Sequence, residues 1–143
     1  MAEISFLNML RDERFIAPAI GPYVLLVISN DVSITKDDID RFSSSIIESE
    51  VKCVLAWGKE CSLWDDMIDW CVLEKYDYKI PEDKNIVTTW HDDESLDDVI
   101  QFAITNADYI YECESLVILN IGSDLIPIAE INRLIVKNME PTE

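Results

Sequence analysis

Residues 23–29 read YVLLVIS, a short and nearly unbroken run of apolar side chains, several of them β-branched. This character predicts a strand covered on both faces, as in a parallel sheet. Two further runs share it, VKCVLAW at 51–57 and SLVILNI at 115–121. A fourth run, NIVTTW at 85–90, carries two threonines and is a weaker example. We therefore expect about four buried strands.

Helical patterns fill the intervals between these runs. Apolar side chains recur at helical spacing in 35–50, 62–76 and 95–106, and a last helix is expected over 127–138. Pro127 then falls in the first turn, where its missing N–H costs nothing. The first three helices each begin with a hydroxyl residue followed three positions later by Asp, as in a capping box. These pairs are Thr35 with Asp38, Ser62 with Asp65, and Ser95 with Asp98.

The alternation of strands and helices predicts an α/β fold built from βαβ units with right-handed crossovers. The expected architecture is a three-layer sandwich, with about four mainly parallel strands and helices on both faces of the sheet. We expect residues 1–143 to form one acidic domain without a linker. The first twenty residues allow two readings, a short helix through Ile4, Leu7 and Leu10 or an edge strand.

The charge of the chain is strongly negative. Its 143 residues include 29 Asp and Glu against 11 Lys and Arg, which gives a formal net charge of −18. The middle of the chain, residues 31–114, holds 22 of the acidic residues. This balance argues against direct contact with nucleic acid or an anionic membrane, because phosphates must be met by cations. The hydrophobic share of 49% excludes a disordered acidic tail.

The apolar runs, the first residues and the cysteine spacing bear on where the protein is located. No apolar run is long enough to span a membrane, and the start MAEISFLNMLRDER lacks the pattern of a secretory signal. The four cysteines form no C-x-x-C pair, so we predict no zinc site. A cytoplasmic protein with reduced thiols is the expectation.

The carboxyl ends of parallel strands form the usual ligand edge of an α/β sheet. Here acidic residues follow the strands, and the Asp pairs of the helix starts lie nearby, so this edge is expected to be strongly acidic. Carboxylates would repel a phosphate from the helix N-termini. The chain has three glycines and no glycine-rich phosphate loop. We therefore expect no nucleotide and no other cofactor.

Candidate catalytic groups are few. His91 is the single histidine, next to Asp92, and could act as a general base or simply hydrogen-bond a neighbouring group. Cys61 precedes a helix and could pair with His91 as a nucleophile. Glu60, Asp65 and other nearby carboxylates stabilise the neutral thiol, so no catalytic residue is predicted.

A metal site is a further alternative. Magnesium needs only one or two carboxylates together with water. Asp31, Asp92, Asp93 and Asp124 could converge at the carboxyl edge, although the D-x-D pattern of phosphatases is absent after the first strand. A solvated acidic rim is the favoured interpretation, and no metal site is predicted.

Trp70 stands out among the four tryptophans because it lies off the apolar face of its predicted helix. An exposed aromatic side chain among carboxylates is a plausible anchor for a basic protein. Ordinary packing beneath a loop is the alternative.

Two stretches resemble a family of small bacterial proteins of unknown function. They are CVLAWG at 53–58 and TTWHDDESLD at 88–97, with Asp65 and Asp66 between them. The resemblance covers about residues 23–110 and implies an α/β fold but no activity. In size and acidity the chain also resembles immunity proteins that neutralise bacterial toxins.

The leading functional hypothesis is an immunity-type inhibitor that binds a basic toxin, most plausibly a nuclease, through an acidic surface. The alternatives are a phage-encoded inhibitor that imitates DNA, a Cys–His hydrolase and a metal-dependent hydrolase. The expected contact residues are Asp37, Asp38, Asp65, Asp66, Asp69, Trp70, Asp92, Asp93, Glu94, Asp97 and Asp98.

Overall fold

The computed structural model describes residues 2–18 and 21–139. Within them, five strands form one sheet and four α-helices cover it, which confirms the three-layer α/β sandwich. The strands are β1 (Glu3–Met9), β2 (Tyr23–Ser29), β3 (Val51–Gly58), β4 (Val87–His91) and β5 (Ser115–Ile121). The helices are α1 (Lys36–Ile46), α2 (Cys61–Lys75), α3 (Leu96–Thr105) and α4 (Leu125–Met139).

The strand order is β1-β5-β2-β3-β4, and every neighbouring pair is parallel. The four runs identified by their apolar character are all strands. The additional strand is β1, at one edge of the sheet. Of the two alternatives predicted for the start of the chain, the edge strand is therefore correct and the short helix is wrong. The side chains of β1 are mostly half-buried, because only one neighbour flanks it. That is why its sequence lacks a continuous apolar run.

Two helices pack on each face of the sheet. Tyr23, Leu25 and Val27 of β2 point into a core shared with α1 and α2, and the alternate residues of β2 point into a core shared with α3 and α4. We call these the α1–α2 face and the α3–α4 face. Side chains alternate between faces along a strand, so a strand packed on both sides must be apolar throughout.

The path of the chain reverses in the middle of the sheet. From β2 it moves to β3 and then β4 through α1 and α2, and α3 then carries it back to β5, on the other side of β2. The helices that follow β2 and β5 pack on opposite faces. The carboxyl ends of these two neighbouring strands therefore form a topological switch point, where open α/β sheets usually bind ligands.

The helix starts confirm two of the three predicted caps. Thr35 forms a reciprocal capping box with Asp38, and Ser95 accepts a hydrogen bond from the backbone N–H of Asp98. The prediction for Ser62 was wrong. The helix begins one residue earlier, after Glu60 in a left-handed conformation with φ 58°, and no side chain in the described ranges caps it. Pro127 lies in the first turn of α4, as predicted.

Other boundaries shift by a few residues. The first helix ends at Ile46 and continues as turns to residue 50, and α3 continues as a π-helical turn over Asn106–Ile110. A short 3₁₀ turn, Glu82–Lys84, precedes β4. Over the part of the chain that the structure describes, none of the helices has the length and apolar character needed to cross a bilayer.

Candidate functional site

A row of polar and aromatic side chains crosses the carboxyl end of the sheet on its α3–α4 face. Asn8 on β1 stands beside Asn120 on β5, and Asn120 stands beside Ile28 on β2. The same register continues to Trp57 on β3 and His91 on β4. The last layer of side chains on this face is thus mostly polar or amphipathic.

The opposite face has a different last layer. The next register position places Met9, Ile121, Ser29 and Gly58 side by side, on the strand positions that alternate with the polar row. These residues are apolar or small. Polar character at the carboxyl end therefore belongs to the α3–α4 face.

Three asparagines form a hydrogen-bonded chain in this row. Asn30 follows β2 and donates its side-chain amide to Asn120 Oδ1 at 2.5 Å, and Asn120 donates to Asn8 Oδ1 at 2.6 Å. Asn120 is only 1% exposed. A buried amide needs such partners, since an unpaired polar group is costly in a core. The direction of donation leaves the Asn30 carbonyl oxygen as the acceptor at the outer end.

His91 ends the row on β4 and is 7% exposed. Its Nε2 lies 2.9 Å from Thr89 Oγ1, and its ring packs edge-on against Phe102 of α3 with a centroid distance of 5.5 Å. Its Nδ1 lies 3.1 Å from a carboxylate oxygen of Glu94. The carboxylate faces this buried nitrogen, although the two groups are not aligned for a good hydrogen bond.

Two neighbouring clefts open at the β2–β4 end of this row, and we call them together the switch-point crevice. The smaller, about 300 Å³, is lined by His91, Glu94 and Lys59, and the larger, about 490 Å³, lies between α3 and α4. Asn30 and Trp57 line both. The indole N–H of Trp57 donates to the Glu94 carbonyl at 2.8 Å, which fixes the ring between the two clefts.

Gly58 brings the ends of β2 and β3 together below the crevice. Its φ is +99°, and a Cβ at this position would overlap the carbonyl oxygen of Ser29. The next residue, Lys59, donates its backbone N–H to that same oxygen at 2.8 Å. Only glycine combines this dihedral angle with so close an approach.

The structure does not bring Cys61 and the His91 ring together. Cys61 belongs to the core of the α1–α2 face, whereas the His91 ring packs against α3 on the other face. Burial raises the pKa of the Cys61 thiol, and the charge of Asp92 raises it further. A buried neutral thiol on the far side of the sheet does not supply the nucleophile of a Cys–His hydrolase.

The carboxylates considered for a metal ion do not converge either. Within residues 2–18 and 21–139, no three His, Cys, Asp or Glu side chains are placed to hold a cation. Asp31 instead lies 3.8 Å from the guanidinium group of Arg11.

The predicted contact residues on α2 lie on the part of the helix that points away from the sheet core. Asp66, Asp69 and Trp70 are exposed, and Asp65 is half-buried. Trp70 is 49% exposed and packs edge-on against Tyr78, with the ring centroids 6.2 Å apart. The reading of Trp70 as an exposed aromatic residue among carboxylates therefore agrees with its position.

A groove of about 450 Å³ runs between α1 and α2 beside Trp70, and we call it the α1–α2 groove. Leu63, Met67 and Trp70 supply its apolar surface. Its charged lining residues are Asp40, Asp66, Glu74 and Lys36. Three carboxylates thus surround an apolar strip in the presence of one ammonium group.

Asp69 lies on the side of α2 that faces β4. It accepts a hydrogen bond from the Thr88 hydroxyl at 2.9 Å. Burial raises the pKa of Asp69, and the charges of Asp65 and Asp66 raise it further against that hydrogen bond. Burial is the main cause of the raised pKa, and repulsion from the two neighbouring carboxylates adds to it.

The remaining predicted contact residues lie elsewhere. Asp92, Asp93 and Glu94 are exposed in the loop after β4, and Asp37 and Asp98 are exposed at the starts of α1 and α3. Asp97 binds Lys137 Nζ at 2.7 Å and Asn138 at 3.0 Å. Asp38 is buried and bonded to Arg11, Arg41 and Thr35, so its role is structural.

Carboxylates are not confined to the carboxyl edge. Glu48, Glu50, Glu112 and Glu114 lie in the loops that lead into β3 and β5, at the opposite edge of the sheet. The expectation of one acidic rim was therefore too simple. Charge surrounds the molecule, and in the α1–α2 groove it is combined with the exposed indole of Trp70.

Sequence reasoning missed the three asparagines of the polar row. One signal was present, because Asn120 interrupts the aliphatic strand SLVILNI near its carboxyl end. Asn8 and Asn30 carry no comparable signal, since the first lies on a half-buried edge strand and the second in a loop.

Comparison with known proteins identifies a family but no activity. The family described as "Domain of unknown function (DUF7684)" matches residues 6–138, so the chain belongs to it. This confirms the expectation of a family without an assigned function. No curated protein and no solved structure matches the chain.

Proposed function

We propose that this member of the DUF7684 family is a binding module that neutralises a basic protein, in the way that an immunity protein masks a nuclease toxin. The α1–α2 groove is the proposed contact surface, and the acidic loop of Asp92, Asp93 and Glu94 extends it along the carboxyl edge. The carrying observation is the half-exposed Trp70 within a ring of carboxylates.

The groove suits the side chain of an arginine or lysine. The hydrocarbon stem of such a residue can lie on Leu63 and Met67, while the cationic head meets Asp66 or Glu74. The indole of Trp70 adds a cation–π contact, and its neighbour Tyr78 holds the ring edge-on. Interface hot spots combine an aromatic anchor with charged neighbours in this way.

The net charge of −18 supports the same partner chemistry. A large negative potential accelerates encounter with a basic surface and disfavours nucleic acid and acidic proteins. A nuclease carries cations around its active site, because it must bind phosphates. An acidic cover over that site blocks the substrate by occupying its binding surface.

Site-specific photo-crosslinking identifies the partner and tests the surface together. A photoreactive phenylalanine replaces Trp70 in one variant and Tyr109, which is 79% exposed at the other edge of the sheet, in the control. We expect a basic protein to be captured from position 70 and not from position 109. Capture of an acidic protein, or equal capture from both positions, contradicts the proposal.

A charge-neutralisation experiment then tests the mechanism with the captured protein. The double variant Asp66→Gln, Glu74→Gln removes two charges from the groove. The control Glu112→Gln, Glu114→Gln removes two exposed charges from the opposite edge. We expect the first pair to weaken binding by roughly tenfold or more and the control to change it by less than about twofold. Nuclease activity of the partner on DNA, with each variant added, reports neutralisation, and equal effects of both pairs would refute a localised interface.

A further inference from the structure

We propose that the switch-point crevice on the α3–α4 face is a binding site for a small organic amine with an apolar body. This site is separate from the α1–α2 groove, which lies on the other face of the sheet. Its position, its buried polar groups and its division into a polar and an apolar cleft carry the assignment.

The position follows from topology. The crevice lies at the carboxyl end of the sheet beside β2, where the chain reverses its path between β2 and β5. The two helices that follow these strands diverge to opposite faces, and this divergence opens a space above the strand ends. Cleft volumes of about 300 and 490 Å³ are of the size that small ligands occupy.

The buried groups give the site its polar end. His91 lines the smaller cleft and is more than nine-tenths buried, and its Nδ1 lies 3.1 Å from the Glu94 carboxylate without a well-aligned hydrogen bond among the described residues. Asn30 is held by the asparagine chain, with its carbonyl oxygen at the outer end. Glu94 adds a carboxylate that is about half exposed. The Glu94 carboxylate and the Asn30 carbonyl oxygen are acceptors, and acceptors suit a protonated amine, which carries donors only.

The aromatic ring at the centre favours the same ligand. Trp57 lies between the two clefts and is fixed by its hydrogen bond to the Glu94 carbonyl. An indole face attracts a cation and also packs against an apolar group. A molecule with an amine at one end can thus contact this ring along its length.

The larger cleft supplies the apolar end. Leu96, Ile126, Pro127 and Leu134 line it. Its two cations are already paired within the protein, Arg133 with Glu130 at 2.9 Å and Lys137 with Asp97 at 2.7 Å. Lys59 shares the lining of the smaller cleft with two carboxylates, Asp92 and Glu94. The crevice therefore has no surplus of positive charge with which to attract an anion.

Matched probes test the charge and the apolar body separately. The probes are 2-phenylethylamine, 2-phenylethanol and 3-phenylpropionate, which share the ring and differ in the head group. Titration of the isotope-labelled chain is followed by NMR at the indole N–H resonances. We expect the amine to shift the Trp57 resonance and to bind roughly tenfold more tightly than the alcohol or the carboxylate.

Glu94 also belongs to the acidic loop that extends the proposed protein interface, so the variants are titrated with the amine in the absence of a protein partner. Glu94→Gln removes a surface carboxylate from the crevice and is expected to weaken amine binding by roughly fivefold to tenfold. Glu60→Gln, an exposed residue at the same edge that does not line the crevice, is the control and should leave binding unchanged. Equal binding of the three probes, no effect of Glu94→Gln, or a shift at Trp70 instead of Trp57 would overturn the proposal. None of these results bears on the photo-crosslinking from position 70.

Discussion

Asn120 on β5 donates its side-chain amide to Asn8 on β1 across 2.6 Å, and the two residues stand opposite each other in the parallel register. Asn120 also accepts from Asn30 at 2.5 Å. The buried Asn120 side chain thus forms one hydrogen bond with the neighbour on each side. The asparagine chain ties the amino-terminal edge strand and the end of β2 to the same central strand.

The substitution Asn120→Leu tests this chain. Leucine has the same branched shape but removes both hydrogen bonds, and each contributes about 0.5–1.5 kcal/mol because the exposed Asn8 and half-buried Asn30 can turn to water. We expect the free energy of unfolding, measured by urea titration, to fall by about 2 kcal/mol. Asn132→Ala on the exposed side of α4 is the control and should change stability by less than about 0.5 kcal/mol.

A double variant tests whether the hydrogen bond couples Asn8 and Asn120. In the Asn120→Leu variant Asn8 has already lost this bond, so Asn8→Leu should cost less there than it does alone. Simple additivity of the two free energies would show that the amide pair is not coupled.

The close approach of Gly58 to Ser29 predicts a large difference between two glycine substitutions. Gly58 and Gly21 both have positive φ, +99° and +88°, so alanine is strained at either by about 1–3 kcal/mol. At Gly58 the new Cβ also overlaps the Ser29 carbonyl, whereas at Gly21 it meets no described atom within 4 Å. We expect Gly58→Ala to lower the free energy of unfolding by about 1–3 kcal/mol more than Gly21→Ala. Equal losses of unfolding free energy in the two variants would contradict this, because they would show that β2 and β3 move apart to accept the new Cβ at no energetic cost.

The helix caps provide a matched pair of threonine and serine substitutions. Thr35 accepts from the backbone N–H of Asp38 at 3.1 Å, so Thr35→Ala should destabilise the chain by about 1 kcal/mol. Ser62 lies inside the first turn of α2, so Ser62→Ala should change the free energy of unfolding by less than about 0.5 kcal/mol. If Ser62→Ala lost as much unfolding free energy as Thr35→Ala, Ser62 would be acting as the helix cap expected from the sequence.

The Ser62 error shows what a local pattern can and cannot predict. A hydroxyl residue three positions before Asp marked the starts of α1 and α3, because the cap is a local interaction. At α2 the chain enters the helix through Glu60 in a left-handed conformation, directly after the glycine that approaches Ser29. That entry depends on the packing of two strands, which the pattern around Ser62 does not contain.

Long-range placement limits prediction of the site in the same way. The apolar runs predicted the central strands because burial on both faces leaves a continuous signal, and Asp66, Asp69 and Trp70 were predicted together because they lie on one helix. The asparagine chain joins residues that are 112 positions apart. Their contact requires the strand order β1-β5-β2, and the apolar pattern of a single strand does not reveal that order.

Asp38 predicts a specific dependence of stability on pH. Burial would raise its pKa, but hydrogen bonds from Thr35 and from the guanidinium groups of Arg11 and Arg41 outweigh burial and lower the pKa to about 2. A carboxyl whose pKa is lower in the folded state stabilises the fold above its unfolded pKa. That contribution is lost as the pH falls through the folded pKa.

The variant Asp38→Asn should therefore be less stable than the wild type near neutral pH, by about 2 kcal/mol, and the difference should shrink as the pH falls from about 4 towards 2. Urea unfolding at a series of pH values measures the difference. Asp37→Asn, which changes the exposed neighbour, is the control and should show almost no such trend. A difference that is constant with pH would show that packing of the Asp38 side chain, and not its charge, stabilises the fold.

Thiol labelling tests whether Cys61 is as unreactive as its burial predicts. All four lie within the described residues, are buried and are free thiols. Burial raises the pKa of Cys53 to about 11 and raises the pKa of the other three thiols as well. The thiolate is the reactive form, so an aromatic disulfide reagent near pH 8 should label the native chain very slowly. In denaturant the same reagent should label all four thiols rapidly. Fast labelling of native Cys61 alone, absent from Cys61→Ser, would indicate an accessible thiolate and reopen the case for a nucleophile at this position.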